Sequence, residues 1–187
     1  MAKKMKRMTL LSVLITVIFV VWYGNTEYDA LLTLEITFGT TSYHLGMRLL
    51  AGTLIHLLLN NHVDYRKQWF RVSAAEEKLY QKMKVKKWKN KMGTYDPTCF
   101  DPKIHSWDEI AQAMCQAELV HELIILLSFL PVFAAISFGA LPVFLITSLL
   151  ASCFDAMFVV MQRYNRPRIV KLIEKTCSGK YYGIRKI

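Results

Sequence analysis

Two short stretches carry side chains whose types and spacing suit joint chemistry. One is Glu118-Leu119-Val120-His121-Glu122, an ionisable group inside an otherwise apolar run. On a helix Glu118 stands beside both His121 and Glu122, three and four residues on. A carboxylate against an imidazole orients the ring and raises its basicity, so His121 held by Glu118 is a candidate general base. The other stretch is Asp155 to Arg168, DAMFVVMQRYNRPR, where apolar residues give way to hydrogen-bonding and cationic side chains. There Asp155, Gln162 and Arg166 fall on one side of a helix. Pro167 biases Arg166 away from helical geometry, so the helix is expected to end or kink at that point. Arginine forks match a phosphate or a developing oxyanion in a way lysine does not.

These groups need elements to hold them, and composition says what those elements are. The chain has 187 residues, 53% of them hydrophobic, and a net charge of +10. One domain, 1–187, built in a membrane, accounts for both figures. The Lys and Arg residues cluster at the N-terminus, between Arg66 and Lys91, and after Gln162, with only Arg48 and Lys103 elsewhere. Each basic block abuts an apolar run, which fits anchoring on an anionic leaflet and argues against nucleic acid as the partner. Cys99, Cys115, Cys153 and Cys177 show no C-x-x-C spacing, so neither a zinc site nor a disulfide framework is indicated and reduced thiols are expected.

The expected fold class is an all-α integral membrane protein with about four transmembrane helices, at 8–24, 43–60, 113–138 and 141–162. The first run ends in Trp22-Tyr23, a pair suited to the interface, and no cleavage site of the A-x-A type follows it, which indicates an uncleaved anchor. Asn25 to Thr41 is acidic, without Lys or Arg, and reads as an outer loop. Leu32 to Phe38 within it fits a short strand or a re-entrant segment. The second span carries His44, Arg48 and His56; Arg48 is expected to snorkel to the outer interface, and His56 either packs or lines the site. A cytoplasmic basic loop, 61–106, follows. Ser73-Ala74-Ala75-Glu76 is a capping box opening a basic amphipathic helix that continues through the lysine run around Trp88. That run is either a bilayer-surface helix or a solvated charged face. Ser106 to Glu109 is a second capping box, opening the third span, where Pro131 is expected to kink the helix. With a cytoplasmic tail at 163–187, the positive-inside rule puts both termini in the cytoplasm.

That topology sets Glu118, His121 and Glu122 at the same depth as Gln162 to Arg168, on antiparallel neighbours. Each group alone has an ordinary structural account, as a buried interhelical hydrogen bond or as an orientation signal. Their convergence favours a site. Asp155 then needs a partner in the membrane, an arginine or His121. Glu118-x-x-His121 is half of a di-iron carboxylate motif, but no second copy occurs, so no metal is expected.

The segments KVKKWKNKMG (Lys84 to Gly93), QAELVHELI (Gln116 to Ile124) and MQRYNRPRI (Met161 to Ile169) resemble the glycosyl-4,4′-diaponeurosporenoate acyltransferase family, over the C-terminal half. The resemblance implies transfer of a fatty acyl group to the primary hydroxyl of a sugar on a lipid-like glycoside at the cell membrane, with the acceptor itself left open. The expected partners are membrane lipids, that acceptor, and an acyl thioester donor of coenzyme A or acyl carrier protein; no cofactor is expected. In this reading His121 with Glu118 is catalytic. Arg163, Asn165 and Arg166 hold donor phosphates or the oxyanion, and Trp88 and Lys89 dock substrate. Gln162, Tyr164, Arg168, Asp155, Glu122 and His56 complete the binding set. The H-x-x-x-x-D motif of soluble glycerolipid acyltransferases is absent. The rival readings are a methyltransferase or reductase acting on polyprenyl-type lipids, and a non-enzymatic lipid-binding or assembly protein.

Overall fold

The computed structural model describes the backbone of residues 2–183 and the side chains of 3–176, and among these residues every regular element is helical. The α-helices are α1 (Ala2–Thr26), α2 (Asp29–Leu59), α3 (Ala74–Lys82), α4 (Val85–Trp88), α5 (Trp107–Leu127), α6 (Ala135–Phe138) and α7 (Leu141–Gly183). Short 3-10 turns lie at Gln68–Phe70, Lys89–Lys91, Pro97–Phe100 and Leu130–Ala134.

Among the described residues, three helical stretches are long and apolar enough to cross a bilayer: Lys3–Thr26, Trp107–Phe138 and Leu141–Thr176. Their large apolar side chains are widely exposed, with Ile136 at 85%. Lipid, unlike water, accommodates such a surface. The expected segment 43–60 lies in α2 up to its end at Leu59 and is not among the three. It carries His44, Arg48 and His56 among its apolar residues.

Four expectations from sequence are corrected. Residues 29–41 are neither loop nor strand but the first three turns of α2, and only Glu27 and Tyr28 separate it from α1. The lysine run does not continue α3. Met83 ends that helix and Lys84 takes a left-handed conformation, φ 52°. A continuous helix would set Tyr80 and Val85 about 140° apart around its axis. The break at Lys84 lets both bury, at 5% and 0% exposure, and Trp88 then donates to the Met83 carbonyl at 3.2 Å. At Pro131 the chain changes from α-helix to a 3-10 turn instead of merely bending. At Pro167, of the two expected outcomes, the helix does not end: α7 runs on to Gly183.

The chain divides into two compact units, one made of residues up to Leu54 with Leu123–Asp155, the other of Ile55–Glu122 with residues from Ala156 onward. The first is held by polar contacts between apolar helices. Ser42 Oγ lies 2.8 Å from Ser12 Oγ and 3.0 Å from Thr16 Oγ1, and Ser152 Oγ donates to the Ile125 carbonyl. Pro131 has no N–H to give the Leu127 carbonyl one turn earlier, and the Tyr43 hydroxyl donates to that carbonyl at 2.8 Å. The second unit has a core of Val63, Tyr65, Phe70, Ala111 and Cys115, with Leu119, Ile169 and Ile173 packed on it. Both expected capping boxes form. Ser73 and Glu76 exchange bonds at the start of α3, and Ser106 and Glu109 do so ahead of α5. Cys99, Cys115 and Cys153 are free thiols; the Cys177 side chain lies outside the described residues.

Candidate active site

The second unit brings α5 and α7 together through one fully buried carboxylate. Glu118 has no exposed surface; one of its oxygens accepts from Arg163 Nη1 at 2.7 Å and the other from Arg166 Nη1. Neither arginine ends there. Arg163 also donates to Glu76 Oε1 at 2.9 Å and to the carbonyls of Trp69 and Arg71. Arg166, 2% exposed, donates to the Phe70 carbonyl and lies over the Phe70 ring. Two cations thus serve two carboxylates and three carbonyls, and the segment from Trp69 to Glu76 is clasped onto α5 and α7. A desolvated charge is tolerable only with this degree of pairing.

Both Glu118 oxygens are engaged by arginines, and the guanidinium groups face protein acceptors on several sides. Glu118, Arg163 and Arg166 therefore form a clasp. His121, half-buried one turn along α5, stacks on Phe158 of α7 with ring centroids 4.5 Å apart and planes 6° from parallel. Glu122 accepts from the Trp69 indole at 3.1 Å.

A second group of the expected residues meets near the surface. Lys89 Nζ donates to Asn165 Oδ1 at 2.5 Å. The Tyr164 ring carries Lys89 and Arg168 within cation–π range, at 5.3 and 4.5 Å, and its hydroxyl accepts from Arg168. Burial and the charges of Arg168 and Lys86 hold the Lys89 amine below its ordinary range. An amine set among other cations attracts an anion, and the neutral partners Asn165 and Tyr164 leave the charges of Lys89 and Arg168 in place.

Gln162 is buried on α7. His56 is exposed and meets Gln116 at 3.4 Å. Trp88 bonds to its own chain. Asp155 is 1% exposed and belongs to the first unit, where it accepts from Arg48 Nη2 at 2.5 Å. An arginine is thus a partner of Asp155, as one of the two alternatives has it, and Arg48 is paired instead of snorkelling. The sequence reading misses Glu76 as a member of the site. Its capping role was legible, but the fact that its other oxygen would receive Arg163 was not. Burial pushes the Glu76 carboxyl up, yet the Ser73 N–H, the Arg163 charge and the Tyr80 hydroxyl together bring it below its ordinary value.

A family model described as glycosyl-4,4′-diaponeurosporenoate acyltransferase matches residues 65–175. The match covers more than half of the chain and every residue of the clasp and of the cationic surface group. The chain belongs to this family. Within the glycosyl-4,4′-diaponeurosporenoate acyltransferase family, then, the matched region takes in the polar segment, α3 to α6 and most of α7, and leaves α1 and α2 outside. Comparison with curated proteins and with solved structures finds no match.

Proposed function

We propose that this chain transfers a fatty acyl group from an acyl thioester to a hydroxyl of a lipid-linked acceptor, a sugar primary hydroxyl, at the cytoplasmic leaflet of the cell membrane. The family match over residues 65–175 carries the reading. The glycosyl carotenoid in the family's description supplies the acceptor class. Multi-pass insertion, with α2 as a fourth span and both termini cytoplasmic, is supported by the basic blocks flanking the apolar runs and by the compensation of Arg48 by Asp155 inside α2's unit.

In the mechanism, His121 takes the proton of the acceptor hydroxyl as its oxygen bonds to the thioester carbonyl carbon. The tetrahedral intermediate collapses with cleavage of the C–S bond, and the departing thiolate receives the proton back from the imidazolium. Phe158 fixes the plane of the imidazole, and the clasp of Glu118, Arg163 and Arg166 fixes α5 against α7 so that His121 is presented in one geometry. Lys89 and Arg168 bind donor phosphate, with Asn165 and Tyr164 setting their positions. Trp88 and the neighbouring lysines meet the leaflet surface. The test is incubation of the purified protein in lipid nanodiscs with an acyl-coenzyme A and a glycosyl carotenoid. Mass spectrometry should show an acceptor heavier by one acyl group, and an unaltered acceptor alongside an active positive control would reject the reading.

A further inference from the structure

Trp69 is held firmly by its backbone and yet leaves its ring uncovered. The carbonyls of Trp69 and Arg71 accept from Arg163 and that of Phe70 from Arg166, so three successive peptide groups are clasped. Phe70 is 5% exposed, whereas Trp69 beside it is 65% exposed. A tryptophan that serves only as an interfacial anchor turns its N–H toward water and lipid headgroups. The Trp69 N–H instead donates inside the protein, to Glu122 Oε2 at 3.1 Å. The ring is thereby fixed by its backbone and by its edge, with most of its surface free.

Glu122 supplies the complementary group. Its Oε2 accepts from the indole, while Oε1 takes no hydrogen bond among the described residues and is not sealed in the interior. Glu122 follows His121 on α5, and both belong to the unit that holds Trp69. Successive residues leave a helix about 100° apart, so the carboxylate stands to one side of the imidazole. A molecule that meets both must carry several polar groups around a compact frame.

A sugar ring fits an uncovered indole with a carboxylate at its edge. The C–H side of a pyranose is weakly positive and packs against the negative face of an aromatic ring. Its hydroxyls donate to a carboxylate, and such charge-assisted bonds are about twice as strong as neutral ones. A phosphate would be repelled by Glu122, and a hydrocarbon chain has no donor to offer it. We infer that Trp69 and Glu122 hold the sugar of the acceptor, with the ring stacked on the indole and a secondary hydroxyl donating to Glu122 Oε1. The primary hydroxyl is then left for His121. The inference rests on the acyl-transfer reading for the identity of the acceptor, and it gives the sugar a recognition site that a plain lipid alcohol cannot use.

The experiment uses the full chain in lipid nanodiscs, with radiolabelled hexadecyl β-glucoside as the probe and hexadecanol as its sugarless counterpart. No acyl donor is added, so binding is read apart from transfer. The wild-type protein should bind the glucoside saturably and more tightly than hexadecanol. Glu122→Gln keeps an oxygen for the indole and removes the charge. It should weaken glucoside binding about tenfold or more, the worth of a hydrogen bond to a charged group, and leave hexadecanol unchanged. Trp69→Ala should weaken the glucoside with the same selectivity, and Trp69→Phe, which keeps a ring, should retain part of the affinity. If Trp69→Ala does not fold, Glu122→Gln and Trp69→Phe decide. Three results overturn the inference even if the protein acylates a glycosyl acceptor: a wild type that holds the glucoside no better than hexadecanol, variants that bind the glucoside as the wild type does, or variants that weaken both probes equally. Any of them leaves Trp69 as an anchor at the membrane interface. Glucoside binding as expected by a protein that transfers nothing supports the sugar site and rejects the transfer reading instead.

Discussion

Glu118 on α5 and Arg166 on α7 form an ion pair with 0% and 2% of their side chains exposed, and Arg163 occupies the second oxygen of the same carboxylate. The pair joins residues far apart in sequence and ties the helix that carries His121 to the helix that carries Phe158. Because neither charge can reach water, each depends on the other.

Replacing Glu118 by Gln leaves two guanidinium groups sharing one neutral side chain in a desolvated site. Breaking a buried pair by removing one partner costs about 3–5 kcal/mol. The Glu118→Gln variant is expected to unfold at markedly lower temperature in detergent. Combining it with Arg166→Met should restore part of the loss, as a double-mutant cycle would show.

Acid should act on the clasp through Glu76. Its carboxyl is held below the ordinary glutamate value of 4.5, so the stability it contributes is present above that value and is lost as the pH falls through the lower folded-state value. A plot of unfolding temperature against pH should therefore decline on the acid side. Glu76→Gln should flatten that decline while lowering the plateau near neutrality.

The cationic pair at Tyr164 should show itself in substrate binding. Lys89→Glu or Arg168→Glu is expected to raise KM for acyl-coenzyme A by about tenfold or more, as fits loss of one charge-assisted hydrogen bond, with kcat little changed. The difference from wild type should shrink as salt is added. Equal KM values across the series would remove these residues from donor binding.

Tyr43→Phe deletes the donor that replaces the missing Pro131 N–H at the Leu127 carbonyl. An unsatisfied buried acceptor costs about 1–3 kcal/mol. The variant should lose stability by that amount in a reversible denaturation assay, and Pro131→Ala in the same background should recover some of it.

The sequence showed which residues are unusual but not always which partners they take. Hydrophobic runs and the two capping boxes are local patterns, so the apolar helices and the starts of α3 and α5 could be read from it directly. Asp155, Gln162 and Arg166, which their spacing puts on one side of a helix, are all buried on α7. Partner choice is a tertiary matter. Two arginines on α7 each take an oxygen of Glu118, because a buried carboxylate is tolerable only when opposite charge compensates it. Nothing local to Arg48 shows that Asp155 meets it. The lysine run has helical composition, and only the joint burial of Tyr80 and Val85 reveals the left-handed break at Lys84. Pro167 disfavours helix at Arg166, but buried contacts on both sides of it outweigh that local preference.

Whether His121 moves the proton in acyl transfer is decided by the turnover of His121→Ala in nanodiscs with saturating acyl-coenzyme A and glycosyl acceptor. A fall of roughly 10²–10⁴ in kcat, the usual worth of a general base, is expected, with unfolding temperature close to wild type. A folded His121→Ala protein that turns over at the wild-type rate would contradict it.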